Sequence, residues 1–126
     1  MKCNKHILLV EDDEVILSLL KELLENANYS VDCAQNGAEA LHLLRSKAQL
    51  PSLILLDLMM PVMDGFQFME AQSQDASLNQ IPVVAMSADS QIKERLRNTP
   101  AKEYFRKPLK IASVLETVGR YCDYHD

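Results

Sequence analysis

Residues 53–57 read Leu-Ile-Leu-Leu-Asp, four consecutive apolar side chains closed by an acid. The run is too short for a helix and lacks the alternation of a strand with one wet face. It reads as a strand buried on both sides. Two similar runs flank it, at 7–10 and at 81–86. Pro82 sits near the start of the latter, where a strand tolerates proline.

Between and beyond these runs the period changes. Val15, Ile16, Leu19, Leu20, Leu23 and Leu24 recur as one face of a helix. Asn28 follows, a residue that tolerates the left-handed conformation that often ends a helix. Residues 29–34 alternate like a short strand. Asn36 with Glu39 resembles a capping box and opens a helix carrying Ala40, Leu41 and Leu44. Residues 65–72 read as helix, 90–97 as a weak polar helix and 103–106 as a short strand. Residues 111–122 read as a helix with Val114, Leu115 and Val118 inward. Five strand–helix units predict an α/β fold, a doubly wound parallel sheet covered by helices on both faces in three layers. Crossovers should be right-handed, and the functional site should lie beyond the carboxyl ends of the strands.

Composition agrees with one domain over 1–126. Apolar residues make up 48% of the chain and charged residues 25%, enough of each for a single core with a solvated surface. No apolar run approaches the roughly 20 residues of a membrane-spanning helix. The N-terminal apolar stretch stops at Val10 and meets four acids, so it does not read as a signal peptide. Cys3, Cys33 and Cys122 are scattered without metal-ligand spacing and read as free thiols of a cytoplasmic protein. His6, His42 and His125 also lack ligand spacing and read as surface or packing residues. Met59, Met60 and Met63 read as local packing.

The net charge of −5 disfavours nonspecific nucleic-acid binding. It is unevenly spread: residues 1–90 carry −8 and residues 91–110 carry +5. The basic stretch comprises Lys93, Arg95, Arg97, Lys102, Arg106, Lys107 and Lys110. A solvated face is its ordinary explanation. Docking of an acidic partner or a second copy of the chain through the 90–120 face is the sharper one.

The predicted strand ends share a chemistry. The first runs into Glu11, Asp12, Asp13 and Glu14, the third ends at Asp57, the fourth at Ser87, and the fifth runs into Lys107. Each has an ordinary explanation; Asp13 and Ser87, for example, can cap the helices that follow them. As a set they need another, because gathered carboxylates repel unless a cation relieves them. Oxygen ligands suit Mg²⁺. Asp57 could then attack phosphorus and form an acyl phosphate, with Lys107 and Ser87 on the transferring oxygens. The acidic first turn lacks the glycines of a nucleotide-binding loop.

From about Lys5 to Gly119 the chain resembles the receiver domains of two-component response regulators (the CheY-like superfamily). The resemblance rests on ILLVEDDE, LILLDLMMPVMDGF, IPVVAMSAD and YFRKPL, in order and at matching separations. It implies a five-stranded flavodoxin-like sheet of order 2-1-3-4-5, with Asp57 as phosphoacceptor. Asp12 and Asp13 would be the acidic pair that holds Mg²⁺, joined by Asp57 and the backbone carbonyl of Met59. Ser87 would be the switch hydroxyl, Lys107 the phosphate-binding lysine and Tyr104 the switch aromatic. A cis peptide is implied at Lys107–Pro108. The implied role is a regulatory phosphoacceptor, catalysing only its own phosphorylation and dephosphorylation. Its partners would be a histidine kinase or phosphotransfer protein, with no nucleic acid or membrane.

Two departures stand out. Residues 98–103 have no glycine where relatives often have a small-residue turn, and Met59 stands where relatives often carry a polar side chain. A dedicated phosphatase of the haloacid dehalogenase type is the alternative. Those enzymes usually place a second carboxylate two residues after the nucleophile, where this chain has Met59. A pseudo-receiver acting by contact alone is a third reading, disfavoured by the complete residue set. The sequence leaves open whether the chain is free-standing or continues into an output domain.

Overall fold

The computed structural model describes residues 5–46 and 49–122. Cys3 and His125 lie outside them. Five strands alternate with five helices: β1 His6–Val10, α1 Glu14–Asn26, β2 Ser30–Ala34, α2 Gly37–Ser46, β3 Leu53–Asp57, α3 Gly65–Ser73, β4 Val83–Ser87, α4 Ile92–Arg95, β5 Glu103–Arg106 and α5 Ile111–Cys122. All neighbouring strands are parallel, in the order β2-β1-β3-β4-β5. The order reverses at β1 and β3, which sets the switch-point crevice above Val10 and Asp57.

The central strands carry apolar residues throughout because each face meets a helical layer. Ile7, Leu9, Leu53, Leu55, Val84 and Met86 face α1 and α5, where Leu20, Leu24, Val114 and Val118 cover them. Leu8, Val10, Ile54, Leu56, Val83 and Ala85 face the other way, toward Ala40, Leu41, Phe68, Met69 and Ile92. The alternation that one wet face would show is absent because neither face is wet.

The helix ends follow side-chain chemistry. Asp13 caps α1, accepting from the Val15 and Ile16 N–H groups. Asn28, just past α1, has φ 73°. Asn36 accepts from Glu39 N–H at 2.9 Å, opening α2. Asp64 and Gln67 form a reciprocal capping box on α3.

Three expectations change. Val15 and Leu19 stand in the apolar stripe of α1 yet are 68% and 62% exposed, because the stripe is wider than the surface that the sheet and α5 cover. Leu115 is only partly buried beside Val114 and Val118. The polar helix expected over 90–97 shrinks to the four residues of α4, with turns on either side. That segment buries Ile92 and Leu96 and offers no other apolar face.

Candidate functional site

Asp57 closes β3 and is 3% exposed. Its place is fixed from both sides of the chain. Leu58 N–H donates to Met86 O at 3.1 Å, and Gly65 N–H donates to Leu58 O at 3.0 Å, drawing the start of α3 against the strand end. A Cβ on Gly65 would come within 2.8 Å of Asp57 O and Leu58 Cα, so the absence of a side chain is what permits this approach.

Glu11, fully buried, and exposed Asp12 come to Asp57 from the end of β1. Carboxylate oxygens of Glu11, Asp12 and Asp57 lie within 4.8 Å of one another. Asp13, expected in the acidic pair, is not in this cluster. Its carboxylate faces α1, accepting from Val15 N–H at 2.9 Å and Ile16 N–H at 3.2 Å. The grouping is therefore displaced by one residue: Glu11 and Asp12 reach the pocket, and Asp13 caps. Asp13 N–H also donates to Glu11 Oε2 at 3.1 Å, aiming the buried carboxylate. The signal for this was its capping position just before the first apolar helical residue.

Lys107 follows β5. Its ammonium lies 2.8 Å from Glu11 Oε1 and 3.4 Å from Asp57 Oδ1. Its backbone N–H donates to Ser87 O at 2.9 Å, and its bond to Pro108 is cis. Burial and the neighbouring Glu11 carboxylate push the Asp57 carboxyl up to about 7, with Lys107 opposing. Burial alone would lower the Lys107 ammonium, but Glu11 and Asp57 more than offset it and raise it.

Ser87 is buried at the end of β4, its Oγ accepting from Asp89 N–H at 3.0 Å. Tyr104, on β5, is 38% exposed and lines a shallow groove with Arg106, Lys110 and Ser113. Met59 is 59% exposed, and its N–H donates to Asp57 Oδ1 at 3.4 Å. Val62, in the same loop, has φ 68° and is 81% exposed. Of the histidines, His6 pairs with Asp32 at 2.9 Å and His42 is exposed. Cys33 is half-buried and Cys122 is buried against the α1–α5 side of the core.

The arrangement is an acidic crevice with two buried carboxylates, Glu11 and Asp57, an exposed one, Asp12, a lysine across it and a hydroxyl on the adjacent strand. Its ligand atoms are all carboxylate oxygens, and burial together with the neighbouring acids raises the Asp57 carboxyl. A hard divalent cation suits such a set and would relieve the repulsion.

Comparison with known proteins agrees. A family model described as "Response regulator receiver domain" matches residues 7–119. The polar-differentiation response regulator DivK of Brucella anthropi is 33% identical over 119 residues, covering 93% of this chain and 95% of its own length. The signal receiver domain of a signal transduction histidine kinase from Syntrophus aciditrophicus superposes with TM-score 0.84 at 30% identity, over 94% of this chain and 89% of that one. The receiver domain of sensor histidine kinase PA1611 from Pseudomonas aeruginosa has the same fold, with TM-score 0.84 at 23% identity, over 97% of this chain and all of that one. That structure holds a magnesium ion in its active-site cleft.

Proposed function

This chain belongs to the response regulator receiver domain family, and from that premise we propose that Asp57 carries the phosphoryl group of a two-component signalling switch. The observation that carries the reading is Asp57 itself: a buried carboxylate at a strand end, 3.4 Å from the Lys107 ammonium and grouped with Glu11 and Asp12.

The chemistry is a transfer from a phosphohistidine on a kinase or phosphotransfer protein. An Asp57 oxygen forms a bond to phosphorus as the histidine N–P bond breaks, leaving an acyl phosphate. Glu11, Asp12, Asp57 and the Met59 carbonyl would hold Mg²⁺, which supplies charge neutralisation for a phosphoryl group approaching an acidic pocket. Lys107 shifts from the carboxylates to a phosphoryl oxygen. The Ser87 hydroxyl donates a hydrogen bond to another. Tyr104 fills the space that Ser87 leaves, reshaping the surface of α4, β5 and α5.

The chain is a regulatory phosphoacceptor, and its own phosphorylation and dephosphorylation are the reactions it promotes. Phosphatases of the dehalogenase type usually carry a second carboxylate where this chain has Met59. Cytoplasmic placement fits a phosphohistidine donor, and no helix among the described residues is long and apolar enough to cross a membrane. Residues 1–126 are read as one receiver domain.

Two surfaces serve partners in this reading. An apolar groove of about 500 Å³ between α1 and α5, bordered by exposed Leu19 and Ile111, runs up to Lys107, where a donor must reach the pocket. On the 90–120 face, Lys93, Lys102, Arg106 and Lys110 are exposed and suit an acidic effector or a second copy of the chain. Arg95 and Arg97 are engaged by Asp89 and Glu94.

Incubation with a small phosphodonor and Mg²⁺, read by intact mass, tests the central claim. One phosphoryl adduct is expected, and none in Asp57→Ala. An adduct that survives Asp57→Ala would overturn the reading.

A further inference from the structure

The connection between β4 and α4 carries contacts that the acyl-phosphate chemistry does not use. The Asp89 N–H holds Ser87 Oγ at 3.0 Å. The Asp89 carboxylate accepts from Gln91 N–H at 2.8 Å and from Arg95 Nη1 at 2.7 Å. The Arg95 guanidinium also lies over the Phe66 ring of α3, 4.6 Å from its centroid. One cation therefore joins the loop that fixes the switch hydroxyl to a helix on the other side of the connection.

The mechanical consequence follows from the hydroxyl's capacity. Ser87 has one proton and two acceptor lone pairs. The Asp89 N–H occupies a lone pair and ties the rotamer to the loop. For Ser87 to follow a phosphoryl group, that bond must break or the loop must travel with it. Either motion is opposed by whatever holds Asp89. Hydrogen bonds from Arg95 and from the Gln91 amide keep the Asp89 carboxyl below the usual range, so the clamp is fully charged at neutral pH. The four-residue α4 adds one backbone bond to the loop, Ile92 N–H to Asp89 O at 3.2 Å, and anchors itself through buried Ile92 and Leu96.

We propose that Arg95 is a positioning residue of the switch. By clamping Asp89 against Phe66 it holds the β4–α4 loop, and with it Ser87 Oγ, in the resting placement, and its release favours the phosphorylated state. This rests on the reading of Asp57 as phosphoacceptor and Ser87 as switch hydroxyl.

Beryllofluoride, a tetrahedral mimic of a phosphoryl group, tests it on the whole chain with Mg²⁺, read by amide chemical shifts. Weakening the resting state raises the apparent affinity of a ligand that binds the other state. Arg95→Ala should bind beryllofluoride about 3- to 10-fold more tightly, the span that one partly exposed ion pair and one cation–π contact supply. Arg95→Lys keeps the charge but loses the planar stack, and should fall between. In a Ser87→Ala background Arg95→Ala should change nothing, because the hydroxyl that the clamp restrains is gone. A merely structural role would act equally in both backgrounds. Unchanged or weaker binding in Arg95→Ala, or equal tightening without the Ser87 hydroxyl, would overturn the proposal. A wild-type chain that fails to bind beryllofluoride at Asp57 would instead remove the phosphoacceptor reading beneath it.

Discussion

The Lys107 ammonium sits closer to Glu11, at 2.8 Å, than to Asp57, at 3.4 Å. In the resting pocket the lysine is thus chiefly the counter-ion of a fully buried glutamate. Lys107→Met should strand that carboxylate and lower stability by about 2–4 kcal/mol, the cost of breaking a buried pair from one side. Pairing it with Glu11→Gln should restore most of the loss. Urea midpoints without Mg²⁺ measure both.

The Asp57 carboxyl, raised to about 7, makes the metal-free fold depend on pH. A raised carboxyl means the folded state keeps a proton that the unfolded chain releases near pH 4. The stabilisation is complete below about pH 4 and is lost as pH rises through 7, by about 4 kcal/mol at most. Wild type should therefore be more stable at pH 5 than at pH 7.5. Asp57→Asn should flatten that slope, and Mg²⁺ should restore stability at pH 7.5 by binding the folded state. The depressed carboxyls of Asp75, Asp89 and Glu103 act on the other side, losing stability as pH falls below about 4.

Gly65→Ala places a methyl group 2.8 Å from the backbone of Asp57 and Leu58, atoms that cannot rotate away. A destabilisation of about 1–3 kcal/mol is expected. Acyl-phosphate yield should fall as well, because the strand end itself must shift. Thermal unfolding and intact mass on the same sample report the two effects.

Met59 offers no hydrogen bond to a water attacking the phosphoryl group. Met59→Asn should speed acyl-phosphate decay about tenfold, equivalent to about 1.4 kcal/mol of barrier. Phosphate release over time measures it, and equal rates would sink the idea.

Val62 is a β-branched residue at φ 68°, and it is 81% exposed. Val62→Asn should stabilise the protein by about 1 kcal/mol, since asparagine tolerates that conformation and no packing is lost. Chemical denaturation compares the two chains.

The strands were legible because a sheet covered on both faces leaves an unmistakable trace, as 53–57 shows. Asp57, Ser87 and Lys107 were legible for the same reason: each ends or follows a recognisable strand. The division of labour among Glu11, Asp12 and Asp13 was not. Four acids in a row carry the same charge, and which one turns inward depends on the single residue at which β1 stops. Asp13 showed its capping position in the sequence, yet the buried Glu11 has no local mark, since its partner Lys107 is 96 residues away. The Asp89–Arg95–Phe66 clamp was equally hidden, because it joins two helices and a loop through side-chain reach alone.

A helix of four residues cannot sustain itself, because nucleating a turn costs more than so few hydrogen bonds return. The order of α4 is lent by Ile92, Leu96 and Arg95. In the proposed switch the message falls on this weakly self-supporting segment. Amides from about 91 to 97 should exchange with solvent through local opening long before β3 or β4 do. A signal written there needs only to tip a small balance, whereas the same change written into the sheet would have to work against the whole fold.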